Sequence, residues 1–367
     1  MSKNKPVYVA LDCGSGNVAT VMENKGEVQI RVTPSFVARV LGQAKESDSK
    51  TNWVTTGASG ELETYAVMNK AIGAIDTRTP DYQLSAACRV LVVNALAQLK
   101  LGGRKVVIAD TLPADQYYDD NNAINRQQIE LKRNSLMTAV TNATSEIASP
   151  DIVCVEIMPE AVTAYNAALY TQDGQDNPFL IGAKDVAIID IGRYTCDVAH
   201  LDCDNHTLFS RGTTPRGVHI MLEAVKMQMI DQAETIGIPV EKVRVMTLDD
   251  IDSIVRKGYY GSSIEALKDK RVYLDHIISA AAASFASEIN YALKTIVKSL
   301  GSIDALIIVG GGAYYIGGLL REMPNFVADW HDNVVIPHQP ETAVARGAYL
   351  ALLARHDVEE QTTEIEA

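Results

Sequence analysis

Apolar residues in this chain fall into short unbroken runs that end in small polar turns, and these runs alternate with stretches of helical period. The segment "YVALDCGSGNVATVM", Tyr8 to Met22, reads as a buried strand ending at Asp12, a tight turn and a second strand. "VAIIDIGRYTCDVAHL", Val186 to Leu201, repeats that script, with Asp190 and Gly192 in the places of Asp12 and Gly14. Between the two units, Leu84 to Leu99 carries apolar residues at helical spacing, and Lys105 to Ala109 forms a short buried-strand pattern. A polar helix follows in "NRQQIELKRNSLMTAV", then a strand from Asp151 to Met158. Pro159 suits the first position of a helix, which puts Glu160 in its first turn. The Gly-, Asp- and Asn-rich gap from Thr171 to Asp185 marks a domain boundary. Beyond it the pattern predicts a helix from near Gly217, a long helix within 273–300, and a strand "ALIIV" running into Gly310, Gly311 and Gly312. A last helix spans "TAVARGAYLALLA", and the acidic tail from His356 onward reads as frayed chain. Strands alternating with helices imply an α/β protein with mixed sheets.

A length of 367 residues exceeds the usual size of one core and favours two domains. Hydrophobic residues at 47% and charged residues at 22% are ordinary for a globular chain, which excludes disorder and fibrous repeats. A net charge of -13 argues against direct wrapping of nucleic acid, because neutralising phosphates needs clustered Lys and Arg. Contact with DNA would have to pass through a partner. The cysteines, Cys13, Cys88, Cys154, Cys196 and Cys203, lack metal-ligand spacing and fit a reducing compartment. No leader-like N-terminal stretch and no run near the ~18 apolar residues of a spanning helix is present, so a cytoplasmic setting without membrane contact is expected.

A turn of small residues exposes backbone N–H groups and lets a ligand approach them, which is the physics of a phosphate cradle. In "CGSGN", Gly14 and Gly16 permit unusual dihedrals, while Ser15 and Asn17 add side-chain donors. One such turn also reads as a plain hairpin. Two of them, each preceded by an Asp at a strand end, would clamp a polyphosphate, with Asp12 and Asp190 holding a hydrated magnesium ion. The same aspartates would alternatively hydrogen-bond the turn backbone. "VGGGAYYIGGLL" is a third Gly-rich element, ending a strand and opening a helix, where bare backbone would meet a nucleoside.

Taken together, the doubled strand–Asp–x–Gly unit, the triple-Gly turn and the closing "ETAVARGAYLAL" resemble the actin, sugar kinase and heat-shock chaperone ATPase superfamily. Within it, "VIADTLPADQYYDDNN", "IELKRN" and "IMPEAVTAYNAAL" are similar to segments of the bacterial ParM/StbA plasmid-segregation actins. The resemblance implies an actin-like (ribonuclease H-like) two-domain fold, each half a mixed five-stranded sheet flanked by helices, around a cleft for ATP or GTP and Mg. Domain I would span 1–178, with a C-terminal helix at 341–355 returning to it. Domain II would span 179–340, and 356–367 would be a flexible acidic tail. The resemblance further implies that Asp12 and Asp190 organise magnesium through its waters, and that Glu160 orients or activates the hydrolytic water. Gly14, Ser15, Gly16 and Asn17 would bind phosphates from one side, with Gly192 and Thr195 on the other and Asp197 in support. Gly217 and Gly310 to Gly312 would line ribose and base. An ordinary first-turn helix acid is the other reading of Glu160.

Two features depart from the family pattern. Ala19 stands where many actins have a phosphate-binding Lys, and Arg193 and Tyr194 stand where ParM-like chains have Gly and Thr. Arg193 would either supply the missing cation to the phosphates or pair with a nearby acid. The implied function is a filament-forming ATPase that assembles head to tail and segregates plasmid DNA in a bacterial cytoplasm through a small DNA-binding adaptor at a centromere-like site. A sugar or acetate-type kinase of the superfamily, or another bacterial actin-like cytoskeletal protein, is the alternative.

Overall fold

A computed structural model describes residues 5–40, 51–70, 73–205, 207–298, 300–323 and 333–366, with side chains through His356. Two five-stranded mixed sheets of identical topology form its centre. Strands β1 (Val7–Cys13), β2 (Asn17–Asn24), β3 (Glu27–Pro34), β4 (Lys105–Leu112) and β5 (Asp151–Pro159) make the first, in the order β3-β2-β1-β4-β5. Strands β6 (Asp185–Ile191), β7 (Cys196–Asp202), β8 (Thr207–Thr214), β9 (Ala305–Val309) and β10 (Val334–Val335) make the second, in the order β8-β7-β6-β9-β10. In both, the first strand pairs antiparallel with its hairpin partner and parallel with the fourth. The sequence repeat is therefore a repeat of structure. Asp12 stands opposite Ala19, and Asp190 stands opposite Asp197 at the same offset.

The strands read as continuous apolar runs because helices cover both faces of each sheet. The covering helices are α1 (Ala86–Gln98), α2 (Arg126–Met137), α3 (Glu160–Ala168), α4 (Val218–Asp231), α5 (Leu248–Lys257), α6 (Asp275–Ile296), α7 (Ala313–Glu322) and α8 (Ala343–Glu366). Along β6, Ala187, Ile189 and Ile191 pack into one core with α4, α6 and α7, while Val186 and Ile188 point the other way, toward α3. In β1, Val9, Leu11 and Cys13 join the core built with α1, and Ala10 meets Ala345, Ala348 and Leu352 of α8. The C-terminal helix thus packs on the first sheet.

Local signals set several helix starts. Ser85 caps α1 by accepting from the Cys88 N–H at 3.2 Å, and Thr247 and Asp250 form a reciprocal capping box at α5. Pro159 is the cap residue of α3 rather than its first residue, so Glu160 opens the helix. Two expectations are corrected by packing. Strand β4 continues past Ala109 to Leu112, because β5 carries its ladder onward to the Leu112–Pro159 pair after the pairing with β1 ends at Ala109. Helix α8 runs on to Glu366 where frayed chain was expected from residue 356. A separate four-stranded sheet, Val37–Arg39, Asn52–Thr56, Leu62–Val67 and Val140–Asn142, adds to the first half.

Helix α8 crosses α3 at Gly347, where an added Cβ would lie 1.7 Å from the Thr163 carbonyl oxygen. Ala is favoured over Gly in a helix interior by about 1 kcal/mol, but a clash with backbone outweighs that gain. Gly347→Ala is expected to lose about 3 kcal/mol of stability, seen as a lower thermal midpoint; an unchanged or raised midpoint would show that the two helices do not meet this closely.

Candidate functional site

The carboxyl ends of β1 and β6 open into a cleft of about 540 Å3, within the range of small-molecule sites. Placement at the carboxyl ends of parallel strands is where α/β sheets bind ligands, since the turns there present free backbone N–H groups. Gly14, Ser15, Gly16 and Asn17 line the cleft from the first hairpin, and Gly192, Arg193 and Thr195 from the second. Gly310 and Gly311 line it at the β9 to α7 turn. Asp12, Asp190, Asp197 and Glu160 complete the part shared by both halves.

Geometry corrects the reason for the glycines. Of those expected at the site, only Gly310 has a positive φ, of 81°. Gly14 and Gly16 are not in the left-handed region, so conformational freedom does not explain them. Gly16 is there for closeness: a Cβ would lie 2.6 Å from the Arg193 Cβ, so the two hairpin turns touch across the cleft. Gly217 and Gly312 do not line the cleft. Their missing side chains let backbone pack, since a Cβ would sit 2.4 Å from the Tyr194 nitrogen in one case and 2.1 Å from Ile191 Cγ2 in the other.

The electrostatics are dominated by four carboxyls brought together with little compensation. Burial pushes Asp12 up to about 7, and the negative charge of Asp110 adds to it, while Lys132 and the Thr111 hydroxyl, 3.3 Å away, pull it down. Asp190 is raised well above the usual carboxylate range by burial and then by Asp12 and Asp197. Glu160 is raised likewise, by burial first and then by Asp12, Asp197 and Asp190. Asp197 is pushed up to about 6 by burial, although Thr213 and Thr195 donate to it. Desolvation and mutual repulsion therefore win over the hydrogen bonds. Asp12 accepts from Thr111 rather than from its own turn.

Beneath the first hairpin lies a feature that the sequence pattern did not single out. Lys132 of α2 is fully buried and ion-paired with buried Asp110 of β4 at 2.9 Å. Its ammonium also donates to the Thr111 carbonyl at 3.0 Å and to Gln83 Oε1. Burial alone would lower the pKa of this lysine, but Asp110 beside it overrides that and leaves it raised. Asp110 Oδ1 in turn accepts from the Cys13 N–H at 3.3 Å, and Gln83 donates to the Cys13 carbonyl at 3.1 Å, so the network holds the start of the turn. The signal was present: Lys132 shares a helix face with buried Ile129 and Leu136, and Asp110 interrupts an apolar strand.

The two departures from the family pattern now have positions. Ala19 is buried opposite Asp12. Arg193 lines the cleft, but its Nη2 pairs with Asp249 at the start of α5, and its Nε donates to the Tyr194 hydroxyl at 3.2 Å. Elsewhere in the cleft, Asp252 and Arg256 of α5 form an ion pair at 3.1 Å, and Arg256 lies 5.5 Å over the ring of Tyr315; the sequence reading missed all three.

Among the described residues no group of three or more His, Cys, Asp or Glu is arranged to hold a metal directly. The donor set is acid-rich, oxygen-only and short of positive charge, which fits a hard divalent ion held through its waters. No helix among the described residues is long and apolar enough to cross a membrane.

Duplicated sheets of this topology, with an acid at each first hairpin and a cleft between them, make up an actin-like fold. Residues 7–173, just under half of the chain, match the family model described as plasmid segregation protein ParM, N-terminal. Solved structures agree over nearly the whole length. The actin-like protein Alp7A superposes with a TM-score of 0.71 at 13% identity, covering 99% of this chain and 100% of its own. ParM of Bacillus thuringiensis with ATP gives 0.66 at 14%, covering 96% and 99%. A 15-stranded ParM filament from Clostridium botulinum gives 0.61 at 14%, covering 95% and 99%. No curated protein sequence matches significantly.

The raised carboxyls link stability to pH. A folded-state pKa above the unfolded value of about 3.9 means that the folded protein holds protons that the unfolded chain releases. Without ligand, stability from these groups is present below about pH 4 and is lost as pH rises toward 7. The stability of Asp12→Asn minus that of the wild type should therefore grow from pH 4 to 7 in denaturant titrations. A flat difference would contradict the clustering.

Proposed function

We propose that this chain is a nucleotide-dependent, filament-forming ATPase that segregates plasmid DNA in the bacterial cytoplasm. The observation that carries the reading is the acid floor between two touching Gly-rich turns, a site short of the positive charge that a divalent cation bound with a polyphosphate supplies. Asp12 and Asp190 would hold the waters of a Mg ion, which neutralises charge developing on the phosphates when bound. Backbone N–H groups of the first turn, with Ser15 and Asn17, would take the phosphates of ATP or GTP from one side, and Gly192 and Thr195 from the other. Lys132 would steady Asp12 from below, taking over part of the task of the cation absent at Ala19.

Glu160 would orient the attacking water. A cavity of about 10 Å3, lined by Glu160, Asp190, Asp197 and Thr213, has about the minimum room for one water. Burial and the neighbouring acids raise the Glu160 carboxyl well above the usual carboxylate range, which makes it a stronger base once ionised. The ATP-bound ParM of Bacillus thuringiensis and the ParM filament of Clostridium botulinum support nucleotide use and head-to-tail self-assembly here. A net charge of -13 supports contact with DNA through a small basic adaptor at a centromere-like site rather than directly.

Light scattering and sedimentation with Mg-ATP, a slowly hydrolysed analogue, ADP or no nucleotide test this reading. Wild-type filaments should appear with ATP and disassemble as phosphate is released. Glu160→Ala filaments should persist, with phosphate release slowed roughly 100-fold. A monomer in every state that consumes ATP only with an added small-molecule acceptor would instead make the protein a kinase.

A further inference from the structure

The segment "ADQYYDDNN", Ala114 to Asn122, borders the cleft at Asp115 and Gln116, and one side chain of the other half of the molecule grips it at several points. Arg211, on the edge strand β8 of the second sheet, is 10% exposed. Its Nη2 donates to the carbonyls of Asp119 at 2.7 Å and Tyr118 at 3.2 Å, and its Nη1 donates to Asn122 Oδ1. Its Nε lies 3.1 Å from Asp115 Oδ1, and the guanidinium sits 5.9 Å over the Tyr118 ring. This is the fork geometry that Arg offers and Lys lacks.

From Asp115 the chain of contacts leads into the cleft. Asp115 Oδ2 accepts from the Thr213 backbone N–H at 3.0 Å. The Thr213 hydroxyl donates to Asp197 Oδ1, and Thr195 donates to Asp197 Oδ2 at 3.2 Å. Thr213 stands opposite Asp197 in the β7–β8 ladder, and both line the small cavity beside Glu160. Without the cation of Arg211, Asp115 would present an uncompensated charge toward Asp197 and lose its fixed place.

We propose that Arg211 is a positioning residue: by clamping the Asp115 to Asn122 loop of the first half, it fixes Asp115 and Thr213 and thereby sets where Asp197 stands beside the reacting phosphate. This rests on the nucleotide-cleft reading above. The clamp acts on turnover rather than on affinity, because Arg211, Asp115 and Thr213 lie outside the phosphate-binding set of Gly14 to Asn17, Gly192 and Thr195. A displacement of about 1 Å in such a group is enough to cost up to 100-fold in rate.

The full-length protein with Arg211→Met, Arg211→Lys and Asp115→Asn tests it. Measured quantities are Mg-ATP affinity by fluorescent-nucleotide titration, phosphate release at saturation, and hydrogen exchange of the Thr213 amide without nucleotide. Arg211→Met should bind Mg-ATP within about threefold of wild type but release phosphate roughly 10- to 100-fold more slowly. Arg211→Lys, keeping the charge without the fork, should recover part of the rate. The Thr213 amide should exchange faster in Arg211→Met and in Asp115→Asn, the variant that reports should the Met substitution fail to fold. Unchanged turnover, unchanged exchange, or turnover and affinity falling in equal proportion would overturn the clamp. A wild type that hydrolyses no nucleotide would remove the function proposed above, and Thr213 exchange would still decide whether Arg211 holds the loop.

Discussion

Four carboxyls meeting in one poorly compensated place is the constraint on which the rest of this structure depends. Asp12 and Asp190 end equivalent strands of two equivalent sheets, so apposing the sheets forces them together, and Asp197 and Glu160 join them from the next strand and from α3. Bringing ionised groups out of water and near one another is unfavourable unless a cation answers them. The protein supplies only a partial answer. Lys132 lies beneath the floor and is itself neutralised by Asp110, while threonine hydroxyls donate to Asp12 and Asp197. What remains is a negative site suited to a divalent ion, and the local instability is the counterpart of its capacity to bind.

Positive charge near this site is distributed in an unusual way. Ala19 leaves the cross-strand partner of Asp12 without charge, and its counterpart in the repeat is the acid Asp197. Arg193 is held by Asp249 at the mouth, and Arg211 is held at the junction of the two halves. Each of these two arginines is thus engaged with an acid of its own, and among the described residues the buried Lys132 is the cation that acts from below on the floor. Its ties to Gln83 and the Thr111 carbonyl mean that the charge and the shape of the first turn are maintained by the same network.

Much of this was legible in the sequence because repetition makes weak signals strong. One Gly-rich turn is an ordinary hairpin, but the match between Asp12–Gly14 and Asp190–Gly192 pointed to a duplicated unit, and the apolar runs around them indicated strands covered on both faces. Glu160 was readable from Pro159, which marks a helix start. The short strands of the four-stranded sheet carried too few residues for a period, and the end of β4 depended on neighbours distant in sequence. Gly217 and Gly312 were assigned to the ligand because a glycine's purpose is ambiguous: closeness to Tyr194 and Ile191 leaves the same mark as closeness to a nucleoside. Lys132 and Arg211 escaped notice since their partners, Asp110 and Asp115, are brought to them only by the tertiary fold.

The central claim is that the acid floor exists to bind a polyphosphate together with a divalent cation. Calorimetric titration of ATP into the purified protein, with Mg and then with Mg removed by chelation, addresses it most directly. The account predicts binding with Mg that weakens by roughly two orders of magnitude without it, because phosphates would then face uncompensated carboxylates. Equal affinity in the two conditions, or no binding in either, would contradict it.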